Sequence, residues 1–128
     1  MARPKWMLGT GLVGVLLLSS GCFGPLVIDE TADGTIQTVD LGNVLIVELR
    51  GNPTTGYEWQ RTDSLNHAVL EPLGYAYIPD RPEIVGSGGL WRFRFKAVHT
   101  GSTPLGFEYR RSWEEKPIES FSAIVIVR

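Results

Sequence analysis

The sequence has few of the residues on which catalytic and metal sites depend. Its 128 residues include one cysteine, Cys22, and two histidines, His67 and His99. A single thiol cannot form a disulfide within the chain, so apolar packing must hold the fold together. No Ser/His/Asp set and no spacing typical of metal ligands can be assembled. These absences argue against an enzyme, and we expect no cofactor and no metal ion.

The chain also lacks a surplus of positive charge. Twelve Lys and Arg residues stand against 14 Asp and Glu, for a formal net charge of −2. Proteins that bind nucleic acid need basic side chains to neutralise phosphates. We therefore expect no nucleic-acid partner.

A short apolar run, Met7 to Leu18, follows Arg3 and Lys5 and precedes three small residues, 19–21. A basic start, a short apolar stretch and a small-residue cleavage site are typical of a signal peptide, here residues 1–21. The run is too short to favour a permanent membrane span. Cleavage would remove Arg3 and Lys5, which leaves 10 basic against 14 acidic residues. The sequence therefore predicts an exported protein.

Cys22 directly follows Gly21 and resembles the lipidated cysteine of bacterial lipoproteins. That reading predicts a lipid on Cys22, a membrane anchor at the bacterial cell envelope, and a tether over residues 22–34. Residues 19–21 would also suit an ordinary signal peptidase, which leaves a soluble periplasmic or secreted protein as the alternative. No histidine lies near Cys22 in the sequence to activate it, so we exclude a catalytic nucleophile.

Residues 35–128 are predicted to form one domain of short strands. In Leu90 to Lys96, aromatic side chains alternate with basic ones, as expected for a strand with one buried and one wet face. Gly and Pro turns separate these runs. The predicted strands are 36–39, 44–49, 57–61, 69–78, 90–96, 105–110 and 121–127. Seven such strands predict an all-β, immunoglobulin-like sandwich or barrel. We also expect the protein to be a monomer. The expected core anchors are Trp59, Trp91, Phe93, Phe95, Phe107 and Tyr109.

Three loops are predicted to meet at one end of this domain. If successive strands run antiparallel, alternate connections share an end, and these are 52–56, 81–89 and 110–119. In the first loop Pro53 fixes φ and Gly56 tolerates a positive φ, so the loop is stiff and presents two threonines outward. A plain β-turn is the alternative for this segment alone.

The other two loops differ in character. Residues 86–89 read Gly-Ser-Gly-Gly, whose backbone can approach another surface closely. Trp113 stands in a polar loop beside Arg111, which suits either a binding anchor or a ring folded back over the end of the domain. Both readings stay open at this point.

Together these segments resemble the chagasin family, inhibitors of papain-like cysteine proteases. The carriers are the run N-P-T-T-G-Y with Trp59 two residues on, the G-S-G-G run, and R-S-W-E, in which Ser112 replaces the family's usual proline. The resemblance implies that the first loop enters the protease cleft and the other two flank it. The implied protease-binding residues are Asn52, Pro53, Thr54, Thr55, Gly56, Tyr57, Gly86, Ser87, Gly88, Gly89, Arg111, Ser112, Trp113 and Glu114.

The resemblance further implies reversible inhibition without catalysis, and stacking of Trp113 beside the catalytic histidine of the enzyme. The alternative function is that of an envelope lipoprotein whose immunoglobulin-like domain binds another protein or a glycan.

Overall fold

The computed structural model describes residues 24–128, so the predicted signal peptide and Cys22 lie outside the described residues. Within 24–128 no helix is long and apolar enough to cross a membrane. The described chain forms eight strands and two short 3₁₀ turns, Glu30–Ala32 and Pro53–Thr55. The strands are β1 Leu26–Ile28, β2 Ile36–Val39, β3 Val44–Gly51, β4 Glu58–Arg61, β5 Leu70–Pro79, β6 Gly89–Ala97, β7 Gly101–Arg110 and β8 Glu119–Val127.

The strands form two four-stranded sheets that pack face to face. One sheet has the order β1-β3-β6-β5 and the other the order β2-β8-β7-β4. Burial alternates along β6 and β8, because every second side chain points into the space between the sheets. All six predicted aromatic anchors are buried there. The predicted all-β, immunoglobulin-like sandwich is confirmed, with eight strands in place of seven.

The extra strand corrects the prediction that residues 22–34 form a tether. In the described part of that segment, β1 pairs in parallel with β3, matching Leu26 to Leu45 and Ile28 to Val47. Ile28 and Ala32 are buried in the core. The Gly, Pro and acidic residues of the segment conceal a strand of only three residues. Short edge strands carry little periodic signal, since pairing with the neighbour rather than pattern defines them.

The strand directions place the three predicted loops at one end of the domain, as expected for antiparallel strands, although two of the strand pairs are parallel. β3 runs antiparallel to β6, and β7 runs antiparallel to β4 and β8. β2 pairs in parallel with β8, as β1 does with β3, because the N-terminal strands cover one edge of each sheet. The connections after β3, β5 and β7 therefore share one end of the sandwich, and the connections that hold His67 and His99 occupy the other.

Candidate functional site: three loops at one end of the sandwich

The loop tip is the end of the sandwich formed by residues 52–57, 80–88 and 111–118. Its first loop is built around the 3₁₀ turn Pro53–Thr55, which Asn52 caps. The Oδ1 atom of Asn52 accepts hydrogen bonds from the Thr54 N–H at 3.1 Å and the Thr54 hydroxyl at 2.7 Å. Gly56 ends the turn with φ at 87°, which is costly for any residue with a Cβ. The loop is thus rigid from its own sequence, and its exposed residues are Pro53, Thr54 and Thr55.

Two hydrogen bonds join this loop to the loops on either side. The Asn52 side-chain amide donates to the Gly86 carbonyl at 2.9 Å. On the opposite flank, Nε of Arg111 donates to the Thr55 carbonyl at 3.0 Å. The Arg111 guanidinium also lies 4.2 Å from the centre of the Tyr57 ring, within cation–π range. The three predicted loops therefore form one connected surface.

An aromatic cluster supports the loop from below. The hydroxyl oxygen of Tyr109 accepts a hydrogen bond from the Asn52 N–H at 2.8 Å. Its ring packs against Tyr57 and Trp59, with centroids 5.3 and 5.0 Å away. The Trp59 indole N–H donates to the Arg50 carbonyl at 2.9 Å, just before the loop. The sequence predicted Tyr109 as a core anchor but gave no sign that its hydroxyl holds the loop.

A second support that the sequence missed is the ion pair between Arg50 and Asp80. Arg50 Nη1 lies 3.0 Å from Asp80 Oδ1, and Nη2 contacts the second oxygen, so the pair is bidentate. The hydrogen bonds from Arg50 lower the pKa of Asp80 below its ordinary value. Asp80 in turn donates its backbone N–H to the Gly88 carbonyl at 3.0 Å. The pair therefore ties the end of β3 to residues 86–89, the glycine loop.

The glycine loop departs from the predicted picture at Gly89. We expected all of residues 86–89 to offer open backbone to a partner, but Gly89 is buried as the first residue of β6. A Cβ on Gly89 would collide with the Ile78 carbonyl and lie 2.7 Å from the Tyr77 hydroxyl. This glycine is needed for strand packing. Gly86 is exposed and Ser87 and Gly88 are half-buried, so they can still meet a partner.

Trp113 resolves one of the open alternatives. Its side chain is 71% exposed, so it is not folded back into the end of the domain. One edge of the ring covers the first loop, because a Cβ on Gly56 would lie 2.7 Å from Trp113 Cη2. Glu114 is half-buried and pairs with Arg111 at 3.4 Å, whereas Ser112 is exposed. Trp113 thus presents a large apolar ring directly beside Gly56.

The loop tip holds only a small hollow among the described cavities. It has a volume of about 160 Å³ and lies between the first loop and the glycine loop. The two largest described cavities, 440 and 360 Å³, lie along the sides of the sandwich.

Residues 24–128 also hold no group of three or more His, Cys, Asp or Glu side chains placed to bind a metal ion.

Comparison with known proteins identifies the family. Residues 38–125, more than half of the chain, match the family described as chagasin family peptidase inhibitor I42. The chain belongs to the chagasin family of peptidase inhibitors. This confirms the resemblance inferred from the loop motifs, and with it the prediction of an inhibitor rather than an enzyme.

Individual relatives agree with this assignment. Amoebiasin-1 of Entamoeba histolytica is 32% identical over 88 residues, which cover 66% of this chain and 80% of that protein. Chagasin of Trypanosoma cruzi is 25% identical over 89 residues, covering 67% and 81% of the two chains. The crystal structure of the cysteine protease inhibitor EhICP2 from Entamoeba histolytica shares the fold at a TM-score of 0.75. It is 21% identical and covers 85% of this chain and 100% of that one. These comparisons do not support the alternative function, an envelope lipoprotein whose domain binds another protein or a glycan.

Proposed function

We propose that this protein is a reversible, non-covalent inhibitor of papain-like cysteine proteases that inserts residues 52–57 into the active-site cleft. Residues 86–88 and 111–114 would contact the enzyme on either side of the cleft. One chain carries one loop tip, and we propose that it acts as a monomer. Family membership supports the inhibitory role, and the loop motifs support this class of target.

The single observation that carries the proposal is the bonding of three distant segments into one surface. Asn52 reaches Gly86 at 2.9 Å and Arg111 reaches Thr55 at 3.0 Å, across separations of 34 and 56 residues. A preorganised surface loses little conformational entropy when it docks, so a modest interface can bind tightly. The side chains of Thr54 and Thr55 are short, so the exposed edge of the first loop is narrow enough to enter a cleft.

Inhibition of papain by the purified protein tests the proposal. We expect full inhibition at micromolar protein or below, reversed on dilution. No inhibition at micromolar concentration would refute the proposed function.

A matched pair of variants tests which end of the domain acts. Thr55→Arg places a long cation at the leading edge, where Thr55 is exposed, and should raise the inhibition constant by about 100-fold or more, a cost of about 3 kcal/mol. Thr100→Arg makes the same change at an exposed position on the opposite end, between β6 and β7, and should leave inhibition unchanged. Equal loss in both variants would contradict insertion of the first loop.

We also propose export of the protein and attachment to the cell envelope through a lipid on Cys22. The support is the sequence pattern of residues 1–22. The Gly24 carbonyl lies 3.4 Å from the Asn43 side-chain amide, at the start of β3. The first loop follows the end of this eight-residue strand, about 26 Å away at the usual rise. A lipid two residues before Gly24 would therefore leave the loop tip facing away from the membrane.

Mass spectrometry of the mature N-terminus tests the lipid. We expect a diacylglyceryl adduct on Cys22 that is absent from Cys22→Ser. An unmodified thiol would refute the anchor and favour a soluble periplasmic or secreted protein.

A further inference from the structure

Three carbonyl groups of the first loop accept hydrogen bonds within the protein. The Asn52 carbonyl accepts from the Thr55 hydroxyl at 2.7 Å, and the Pro53 carbonyl accepts from the Gly56 N–H at 2.9 Å. The Thr55 carbonyl accepts from Arg111 Nε at 3.0 Å. The Asn52 carbonyl also accepts a long contact of 3.5 Å from the Tyr109 hydroxyl of β7, and of these three carbonyls only that of Thr55 accepts from another loop. A side chain from a different loop therefore binds the carbonyl oxygen of the Thr55–Gly56 peptide bond.

That bond matters because the proposed function places the loop that contains it in the active-site cleft, where the protease nucleophile lies. Cleavage requires the enzyme thiolate to attack the Thr55 carbonyl carbon while an oxyanion hole receives the carbonyl oxygen. The C–N bond then breaks, the amine of Gly56 leaves with a proton from the enzyme's acid, and a thioester forms. Water hydrolyses the thioester to a Thr55 carboxylate and restores the thiol. The first of these steps needs a carbonyl that is free to enter the oxyanion hole.

We propose that Arg111 prevents cleavage of the Thr55–Gly56 bond, so that the protein remains an inhibitor and is not consumed as a substrate. Nε of Arg111 occupies the Thr55 oxygen with a charge-assisted hydrogen bond, in competition with the donors of an oxyanion hole. The same bond holds the turn Pro53–Thr55 in its 3₁₀ form, away from the geometry of attack. This inference rests on the proposed function and assigns Arg111 a positioning role within it.

The neighbours of Arg111 fix its side chain in the geometry that this role requires. Its guanidinium lies 4.2 Å from the centre of the Tyr57 ring and 5.7 Å from the centre of the Trp113 ring. Its Nη1 pairs with Glu114 Oε2 at 3.4 Å, which leaves Nε directed at Thr55. The planar guanidinium suits this site, because it stacks on rings and donates in fixed directions, whereas an ammonium does neither as well. The bond also stiffens the third loop, where Ser112 gives no proline constraint.

The experiment incubates papain with a small molar excess of inhibitor, produced from the full chain, and follows enzyme activity and inhibitor mass over time. We expect the wild-type protein to remain intact and inhibitory. Arg111→Ala should inhibit at first and then lose inhibition, as two fragments appear that correspond to cleavage between Thr55 and Gly56. We expect its cleavage to be about tenfold faster than wild type or more, the scale of one lost hydrogen bond to a charged group.

Two further variants keep the test decisive. Arg111→Lys retains the charge but lacks the directed Nε donor, so it should also be cleaved faster than wild type even if Arg111→Ala folds poorly. Arg94→Ala removes an exposed arginine from β6, away from the loop tip, and should remain as intact as wild type.

Each outcome separates this inference from the proposed function. Cleavage at Thr55–Gly56 in either Arg111 variant, with wild type intact, supports the protective role. Stable inhibition by both Arg111 variants overturns that role and leaves the inhibitor proposal standing, as does cleavage of these variants at other sites. Wild-type protein that never inhibits papain overturns both.

Discussion

Removing the side chain of Asn52 is the sharpest test of whether the first loop is preorganised. Its Oδ1 atom caps the turn Pro53–Thr55 through two bonds to Thr54, and its Nδ2 atom donates to Gly86. Loss of an N-terminal cap costs about 0.5–2 kcal/mol. Loss of one neutral hydrogen bond costs about 0.5–1.5 kcal/mol. Asn52→Ala should therefore weaken the ordered loop by about 2 kcal/mol in all.

The variant must order this loop when it binds the protease, so the lost free energy weakens binding. We expect the inhibition constant of Asn52→Ala against papain to rise by about 30-fold, since about 1.4 kcal/mol corresponds to a factor of ten. The melting temperature of the variant should fall by several degrees. Both quantities are measured on the same preparation, by progress-curve inhibition assays and by circular dichroism.

Asn52→Asp separates the two contributions of this side chain. A carboxylate keeps the cap to Thr54, since Asp caps about as well as Asn, but it cannot donate to Gly86. We expect an increase of about fivefold in the inhibition constant, as befits the loss of about 1 kcal/mol. Unchanged inhibition in both variants would refute the reasoning, because the loop would then be held without Asn52.

Three further predictions concern the rest of the loop tip. Trp113→Ala should raise the inhibition constant by about 5- to 150-fold, the usual range for an interface anchor, with little change in melting temperature, because the side chain is 71% exposed. Gly89→Ala should lower the melting temperature by about 10 °C, because its Cβ would collide with the Ile78 carbonyl; an unchanged melting temperature would contradict the packing role. Asp80→Asn should lower the melting temperature near pH 6. Because the pKa of Asp80 is depressed in the folded state, its ion pair stabilises the fold above the unfolded pKa of about 3.9 and stops doing so as pH falls through the folded pKa. The difference from wild type should therefore shrink below about pH 4, and a constant difference across pH 3–7 would argue against the Arg50 pairing.

Much of the fold followed from local patterns in the sequence. The alternation of aromatic and basic residues through β6 predicted a strand with one buried face, and the structure buries Trp91, Phe93 and Phe95 together. The N-P-T-T-G-Y run predicted a stiff loop, since Pro53 and Gly56 restrict the backbone by themselves. Local patterns failed at β1, where pairing with β3 and not composition makes the strand.

The positions of the predicted site residues followed from the order of the strands, but their interactions did not. Alternation of strand direction was enough to place the loops at one end. It gave no indication that Gly89 is buried, or that Trp113 lies over Gly56 while most of its ring stays exposed. Those facts depend on how far each strand extends and on the angle at which each loop leaves it.

The sequence alone therefore determined a rigid loop with short polar side chains on a β scaffold, and the family to which the chain belongs. The tertiary structure alone decided what holds that loop in place. Tyr109 meets Asn52 across 57 residues and Arg111 meets Thr55 across 56. Such contacts depend on strand register and sheet packing, which bring together side chains that no local pattern relates.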